Sequence, residues 1–406
     1  GNQDVGTDRY ISTLSTSVDS WIIDGKKVQS TQKPTIVSST LTWEKVTTLD
    51  LGLDARFFND ALGVTFDWYN RTTSDILTTA NLPATLGADA PYENMGTIQT
   101  KGWELAIDYR HTFKNGLHFG VTASVADDKT EVTKWTYNTK IPSYGATGWW
   151  DKSAYKEGMV LGDIWGLQFD RFLTEDDFNA DGSLKAGLPD QTKVFPAGYQ
   201  FAPGDVLYKD LDNNGEIVKQ TNTNDKGDLS VIGNALPRLQ FGLNLDAAWK
   251  GFDISMFFQG VAKRKLWAAG NQVLPGFTTG EPFYKGAEDY WTPENTDAFY
   301  PRPMDYKQSA SGNYSVNDRY LLNMAYLRLK TFTVGYSLPK VWLSKFKVQG
   351  LRVYFTGENL FTIDGVKPAI DPEIGIRTAS GKSDQRNFGR SYPYQKTVSF
   401  GIQLSL

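Results

Sequence analysis

The feature that most constrains this chain is a period of two in its apolar residues, which recurs in paired segments. From residue 103 the sequence reads WELAIDYRHTFKNGLHFGVTASV, and apolar and polar side chains alternate on both sides of the KNG turn. Such alternation is typical of β-strands with one apolar and one polar face. A three-residue turn at 114–116 pairs Tyr109 with Val121, keeps both apolar rows on one face, and uses Gly116 for the positive φ. The segment is therefore predicted to be an antiparallel amphipathic hairpin.

The same rule predicts the register of two further hairpins. A two-residue turn at 59–60 pairs Leu53 with Phe66, and a two-residue turn at 250–251 pairs Leu245 with Met256. A loop longer or shorter by one residue would place the two apolar rows of a hairpin on opposite faces. Asn59, Asp60 and Gly251 all tolerate the positive φ that short turns require, which supports these registers.

The lengths of the connections alternate along the chain. Turns at 59–60, 114–116, 250–251 and 339–349 are short, and they alternate with long connections at about 76–97, 131–235, 267–321 and 363–392. Outer-membrane barrels have this asymmetry, with short periplasmic turns and long extracellular loops. The predicted fold class is therefore all-β, a transmembrane antiparallel β-barrel wall to which this chain contributes about ten strands. Before residue 42 we expect one strand near 10–15 and otherwise loop.

Composition supports a membrane protein and excludes several classes of function. The 12 Trp, 20 Tyr and 23 Phe residues suit a protein that presents rings to lipid headgroups or ligands. The net charge of −4 gives no basic field for nucleic acid, and the absence of cysteine excludes disulfide scaffolds and thiolate sites. The residues predicted to contact lipid are Leu53, Val64, Ile107, Val121, Leu245 and Met256.

Seven stretches of the sequence resemble one family. They are TWEKVTTLDLGLDARFFNDALGVTFDWYNRTTSDIL (42–77), MGTIQTKGWELAIDY (95–109), PGDVLYKDLDNNGEI (203–217), IGNALPRLQFGLNL (232–245), YWTPENTDAFYPRP (290–303), DRYLLNMAYLRLKTFTVGYSLP (318–339) and LRVYFTGENLFTI (351–363). In this order they resemble the SusC/RagA-like TonB-dependent transporters of the Bacteroidetes outer membrane. The similarity runs from about residue 42 to the end of the chain.

The resemblance implies a nutrient importer rather than an enzyme. Such a protein takes up oligosaccharides or peptides through a plugged barrel of about 22 strands. TonB supplies the energy, and a SusD-like surface lipoprotein is the partner. Residues 1–406 are then expected to be the C-terminal part of the barrel domain, an open arc without the plug domain and the first strands. The long loops would contact the lipoprotein.

One loop has the residue spacing of a calcium site. The segment DLDNNGEI at 210–217 places oxygen-bearing side chains at positions 1, 3 and 5, Gly215 at position 6 and a backbone carbonyl at position 7. The predicted ligands are Asp210, Asp212, Asn214 and Glu216. Thr221 stands at position 12, where a bidentate acid is usual, and Asp225 or Asp228 would have to replace it. The alternative is an Asx-rich turn without metal.

Aromatic residues in the longest connection are the candidates for substrate binding. Flat rings with a polar edge stack on sugars or on apolar peptide side chains. The candidate residues are Trp149, Trp150, Tyr155 and Trp165. The alternative is that they pack within the loop or against a partner. The strand aromatics Trp68, Trp103, Tyr109 and Trp249 are predicted instead to belong to the girdles at the membrane interfaces.

Two other functions remain open from the sequence. One is a small self-contained outer-membrane barrel hydrolase, and the other is a glycan-binding β-protein that transports nothing. The chain has only two histidines, His111 and His118. The predicted turn places His111 in the apolar row and His118 in the polar row, near the short-turn end. A shared metal or a histidine-based triad in the extracellular loops is therefore unsupported.

Overall fold

The computed structural model is built almost entirely of strands. The described residues are 10–32, 34, 36–79, 90–136, 155–222, 225–268, 270–277, 283–304, 312–343, 348–367, 370–373 and 392–405. The strands are β1 (Thr16–Ile23), β2 (Lys26–Thr31), β3 (Lys45–Phe57), β4 (Leu62–Thr79), β5 (Tyr92–Thr112), β6 (His118–Trp135), β7 (Asp163–Gly166), β8 (Phe169–Phe172), β9 (Val206–Tyr208), β10 (Lys219–Asn222), β11 (Asp225–Gly227), β12 (Ser230–Asn234), β13 (Arg238–Trp249), β14 (Phe252–Lys263), β15 (Lys265–Leu266), β16 (Leu322–Asn323), β17 (Tyr326–Ser337), β18 (Gly350–Asp364) and β19 (Thr397–Ser405). Helical turns occur at Glu175–Asp177 and Gly312–Tyr314 (both 3-10) and at α1 (Lys340–Leu343). Within these ranges, no helix is long and apolar enough to cross a membrane.

Nine long strands form one antiparallel sheet in chain order. The order is β3, β4, β5, β6, β13, β14, β17, β18 and β19. Each inner strand therefore pairs with the strand before it and the strand after it in this order. Strands β3 and β19 form the two edges, and the sheet is open as predicted. The described residues contribute nine strands to this sheet, where the sequence pattern indicated about ten.

The three predicted hairpin registers are confirmed. Tyr109 pairs with Val121, Leu53 with Phe66, and Leu245 with Met256. The 114–116 turn closes with a hydrogen bond from the Gly116 amide to the Phe113 carbonyl at 2.9 Å, and Gly116 has φ +81°. The turns thus set the register in which both apolar rows share a face.

Two predictions about where strands lie and how far they extend were wrong. Residues 10–15 contain no strand, and the N-terminal hairpin is instead formed by β1 and β2 around Asp24-Gly25, where φ is +51° and +73°. An Asp-Gly pair between β-rich runs is a strong signal for such a turn, and it outweighs the weak pattern of 10–15. Strands β4 and β5 also reach further into the predicted 76–97 loop, where Ile76 pairs with Gly96.

The large sheet has one apolar and one polar face. The six residues predicted to contact lipid all lie on the apolar face, because their cross-strand partners continue the same rows from β3 to β14. The rows then continue through Val334, Phe355 and Phe400 to the far edge. Leu53, Ile107 and Phe400 are exposed in the protein alone, with Phe400 82% accessible, and the other residues named from these rows are half-buried. An apolar face of this size is stable only against another apolar medium.

The described parts of three long connections lie at the same end of the sheet and pack together there. We call this region the loop layer. It comprises the described parts of 155–236, 264–325 and 365–373, which we number the first, second and third connections. It contains small two-stranded sheets that pair β7 with β12, β8 with β9, β10 with β11 and β15 with β16. Its largest hydrophobic cluster joins Ile164, Leu274 and Ile370, one residue from each connection. The loop layer therefore has a core of its own.

Candidate functional site

Ion pairs on the polar face of the sheet join residues on two strands that are separated by one intervening strand. Arg56 on β3 reaches Asp108 on β5 with a distance of 2.7 Å between Nη1 and Oδ2. The intervening residue on β4 is Gly63, and a Cβ there would lie 2.3 Å from Asp108 Oδ1 and 2.4 Å from Arg56 Nη1. Arg352 likewise reaches Asp253 across another glycine of the strand between them. These glycines leave room for the charged side chains that line this face.

A buried aspartate ties two of the long connections together. Asp205 has a fully buried carboxylate, which accepts hydrogen bonds from Arg302 Nε at 2.8 Å and from Asn313 Nδ2 at 2.9 Å. The Tyr199 hydroxyl and the Ala202 amide also donate to it, each at 2.9 Å. Hydrogen bonds from this many donors stabilise a buried carboxylate, and their preferred geometry fixes the positions of the donors around it. Asp205 therefore holds the first and second connections in one arrangement.

A second charged network ties the third connection to the sheet. Arg328 on β17 has only 4% of its side chain accessible, and its Nη2 lies 2.7 Å from Asp371 Oδ1. Its Nη1 also pairs with Glu373, and its Nε donates to Thr362 Oγ1 at 2.7 Å. Lys330 adds a second cation 3.2 Å from Glu373 Oε2. Two cations thus balance two buried carboxylates and hold residues 370–373 against the polar face.

The second connection encloses an aromatic cavity of about 630 Å³. Its lining residues are Pro275, Phe283, Tyr284, Lys285, Ala287, Glu288, Tyr290, Tyr300, Pro301, Pro303 and Tyr314. Tyr300 and Tyr314 are buried, whereas Phe283, Tyr284 and Tyr290 are 39–58% accessible. The Tyr300 hydroxyl donates to the Val273 carbonyl at 2.9 Å, and burial together with Asp289 raises the pKa of Tyr300 to about 12. We call this space the aromatic cavity.

The sequence pattern did not single out the aromatic cavity. Its signal was present as a high density of rings and prolines, in FYKG at 283–286 and in FYPRP at 299–303. That density does not by itself distinguish a cavity from a packed core, because both require large apolar side chains. The fold of the connection decides which rings face an open space.

The predicted calcium loop brings three carboxylates together. Oxygens of Asp210, Asp212 and Asp228 lie within 4.8 Å of one another. Of the two acids considered for position 12, Asp228 is thus placed beside the loop, and the side chain of Asp225 lies outside the described residues. Burial, together with the neighbouring charges of Asp212 and Asp210, raises the pKa of Asp228. Hydrogen bonds from the Val218 and Leu211 amides lower it and so oppose this rise. The Glu216 side chain points elsewhere and pairs with Lys193.

The four aromatic residues predicted to bind substrate differ in their placement. Trp149 and Trp150 lie outside the described residues. Tyr155 is buried, with its ring 5.0 Å from that of Trp135 in a hydrophobic cluster at the rim of the sheet. Trp165 on β7 packs against a second cluster, and its buried Nε1 has no hydrogen-bond partner. Neither described residue lines the aromatic cavity, and substrate contact by these four stays a prediction.

The two histidines lie where the turn predicts them. His111 lies between Tyr109 and Phe113 in the apolar rows. Its ring stacks on that of Tyr109 at 6.3 Å between centroids and meets the Phe113 ring edge-on at 4.5 Å. His118 is on the polar face, and its Nε2 lies 3.5 Å from Asp246 Oδ2. Both are at the short-turn end, opposite the loop layer. The strand aromatics Trp68 and Trp103 pair with each other on the apolar face, which fits the predicted girdle.

Comparisons with known proteins identify relatives of the whole chain. It is 27% identical over 395 residues to TonB-dependent receptor P3 of Formosa agariphila, covering 94% of this chain and 36% of that protein. It is 24% identical over 391 residues to TonB-dependent receptor SusC of Bacteroides thetaiotaomicron, covering 94% of this chain and 34% of SusC. The chain thus spans about a third of the length of these curated relatives.

A solved structure has the same fold. The RagAB peptide transporter superposes on the whole of this chain with a TM-score of 0.69 at 21% identity, and the match covers 39% of that chain. At this identity the likeness concerns the fold alone. The family model for the "TonB dependent receptor-like, beta-barrel" domain matches residues 7–360, which is most of the chain. The chain therefore belongs to the TonB-dependent receptor-like β-barrel family, whose members are barrels of the outer membrane.

Proposed function

We propose that this chain forms part of the barrel wall and the extracellular loops of a TonB-dependent importer of oligosaccharides or peptides. In this proposal it is the C-terminal part of the barrel domain, and other parts of the same receptor supply the plug and the remaining strands. The protein performs no covalent chemistry. TonB delivers the energy from the inner membrane.

The observation that carries the proposal is the division of the molecule into two kinds of surface. The sheet presents its apolar rows on one face and ion-paired polar residues on the other. The described parts of three long connections gather at one end and form a layer with its own core. A wall that faces lipid outside and a polar passage inside, with a structured extracellular layer, is what an uptake pore requires.

Growth assays test this function directly. A deletion strain lacking the full-length receptor is grown in liquid medium on single oligosaccharides and on single peptides as the limiting nutrient. We expect growth on one of these classes to be lost and to return when the full-length receptor is supplied. Unchanged growth on every oligosaccharide and every peptide would contradict the import function.

We also propose that the loop layer contacts a SusD-like surface lipoprotein. The support is the family resemblance and the position of the loop layer at the long-connection end, where a lid over the passage would rest. Affinity purification of the full-length receptor from detergent-solubilised outer membranes should recover a lipoprotein in stoichiometric amount. Recovery of the receptor alone under mild detergent would count against this contact.

The carboxylate cluster of Asp210, Asp212 and Asp228 is proposed to bind Ca²⁺. Hard oxygen ligands that converge within 4.8 Å match the preference of this ion, and the loop spacing agrees. Calcium should raise the thermal unfolding temperature of the full-length receptor, and Asp212→Asn should reduce that shift. Asp181→Asn, in the exposed turn of another Asp-rich loop, is the control. If calcium raised the unfolding temperature of both variants equally, the assignment of the calcium site to the carboxylate cluster would be wrong.

A further inference from the structure

We propose that the aromatic cavity binds a proline- or aromatic-bearing segment of an extended peptide. The inference rests on the proposed import function, because it names the substrate class that the loop layer would capture. The cavity lies within the second connection, and its lining includes neither the carboxylate cluster nor Tyr155 and Trp165. At about 630 Å³ it has the size of an ordinary small-ligand pocket and can hold two or three side chains.

The chemistry of the lining favours apolar side chains. Five rings and three prolines provide most of the surface, and Lys285 and Glu288 are the charged residues among the lining side chains. Apolar rings pack well against rings and prolines, and grooves lined by aromatic residues are a common way of holding proline-rich chains.

A sugar would be held poorly by the same lining. Each sugar hydroxyl that leaves water needs a hydrogen-bond partner, and an unpaired one costs about 1–3 kcal/mol. The Tyr300 hydroxyl is already donated to the Val273 carbonyl. The other polar lining side chains are Tyr314 and, at the exposed mouth, Tyr284, Lys285, Glu288 and Tyr290. The buried wall therefore offers few partners for the several hydroxyls of a sugar ring. The cavity is therefore suited to a ligand whose polar groups are few and spaced apart.

The two charged residues fit the ends or the main chain of a peptide. Lys285 and Glu288 are exposed and lie three residues apart on the segment that forms one wall of the cavity. A cation and an anion in the lining of one cavity can bind a carboxylate or carbonyl and an ammonium or N–H group of the same ligand. Neutral oligosaccharides offer no such pair of charges.

The mouth of the cavity supplies residues that can be changed without disturbing the core. Tyr284 and Tyr290 are 39% and 40% accessible, so their rings are not needed to fill the loop layer. A double variant Tyr284→Ala, Tyr290→Ala removes both rings. A second double variant, Tyr284→Phe, Tyr290→Phe, keeps the rings and removes the hydroxyls. The matched control is Tyr392→Ala, since Tyr392 is 97% accessible and does not line the cavity.

Calorimetric titration of the purified full-length receptor provides the test. The probes are a capped pentapeptide with two prolines and two tyrosines, a capped Gly/Ser pentapeptide, and a linear malto-oligosaccharide. We expect the Pro/Tyr peptide to bind tightest. The alanine pair should weaken its binding about tenfold, because each stacked ring contributes roughly 0.5–1.5 kcal/mol. The phenylalanine pair and Tyr392→Ala should stay within about twofold of the unchanged receptor.

Three results would overturn the inference. They are equal affinity for the Pro/Tyr and Gly/Ser peptides, equal loss of peptide binding in Tyr392→Ala, and a loss of oligosaccharide binding in both the alanine and the phenylalanine pairs. The last result would assign the cavity to a glycan held through the tyrosine hydroxyls. The import function fails separately: a receptor that binds the peptide through Tyr284 and Tyr290 but restores no growth supports the cavity assignment and contradicts import.

Discussion

The sheet and the loop layer differ in which kinds of side chain they bury and which they expose. In the sheet, large apolar side chains are the exposed ones, and Leu53 is 60% and Ile402 74% accessible. In the loop layer, Leu274 and Met324 are completely buried. Charged residues follow the reverse rule, because Asp205 is fully buried in the loop layer whereas Arg56 on the sheet is 56% accessible. The two regions are thus built for different solvents.

The difference shows what stabilises each region. The apolar rows of the sheet gain little from one another in water and depend on the lipid that surrounds them. The loop layer is surrounded by water and therefore needs the hydrophobic effect and buried, fully paired polar groups. Substitutions that are tolerated in one region should consequently be damaging in the other.

The largest effect is expected for Asp205→Ala in the loop layer. The change removes the acceptor of four donors and leaves Arg302 partly buried without its counter-charge, which should cost about 3–5 kcal/mol. Hydrogen exchange of the full-length receptor should show lost protection around 199–208 and 312–316. The strands of the sheet should keep theirs.

Asp181→Ala is the control for this effect. Asp181 is an exposed residue that binds Ser183 within its own turn, so its removal should leave protection elsewhere unchanged. Equal loss of protection in the loop layer and in the sheet after Asp205→Ala would show that the two regions unfold together. That outcome would contradict the conclusion that the two regions are stabilised in different ways.

The second prediction concerns Ile107→Arg on the apolar face. Ile107 lies seven residues before Lys114, where the turn begins, and close to the middle of the apolar band, so an arginine there should cost about 2–4 kcal/mol. Ala106→Arg is the matched control, because the neighbouring residue projects from the polar face. Folding into vesicles, followed by urea titration, should separate the two variants. Equal destabilisation would mean that the apolar face does not meet lipid.

The third prediction tests how tightly the sheet is packed. A Cβ at Gly260 would lie 2.3 Å from the Phe241 ring and 2.4 Å from the Tyr326 carbonyl oxygen, so Gly260→Ala must move the backbone of β17 and should cost about 1–3 kcal/mol. Gly242→Ala meets its nearest atom at 3.2 Å and should cost less. The same urea titration measures both. A larger loss for Gly242→Ala would contradict this packing.

The sheet was predictable from the sequence because its determinants are local. Alternation and turn length alone gave the pairing of Tyr109 with Val121 and of Leu245 with Met256, since a slip of one residue would move every side chain to the other face. The strand at 16–23 was missed although Asp24-Gly25 marked its turn. There the alternation is weak, and the turn chemistry was the better signal.

The loop layer was not predictable in the same way. Asp205 meets Arg302 and Asn313 across about a hundred residues, and Arg328 meets Asp371 across 43 residues. No local periodicity encodes contacts of this kind. The calcium loop illustrates the limit: the spacing indicated Asp210 and Asp212, but only the fold selects Asp228 as the third carboxylate. The aromatic cavity needed the fold for the same reason.

The smallest expected effect is a pH dependence that belongs to the loop layer alone. Arg171 binds Asp177 with 2.5 Å between Nη1 and Oδ2 and, with the Thr174 amide, lowers the pKa of Asp177 to about 2 against the opposing effect of burial. Because the folded pKa lies below the unfolded value near 4, this pair stabilises the fold above that pH. The stabilisation is lost as the pH falls through about 2. After allowance for the partly exposed Arg171 it amounts to about 1–2 kcal/mol.

A fluorophore at Lys185→Cys, in a receptor without other cysteines, can follow this loss, because Lys185 is exposed beside the Asp177 turn and this chain contributes no cysteine of its own. Denaturant titration of the labelled full-length receptor should show that Asp177→Asn lowers the stability at pH 6, and that the difference from the unchanged receptor disappears near pH 2. Asp176→Asn, at the exposed neighbouring carboxylate, should show no such difference at either pH. If the difference between Asp177→Asn and the unchanged receptor were the same at both pH values, the Arg171–Asp177 ion pair would not contribute through its charge.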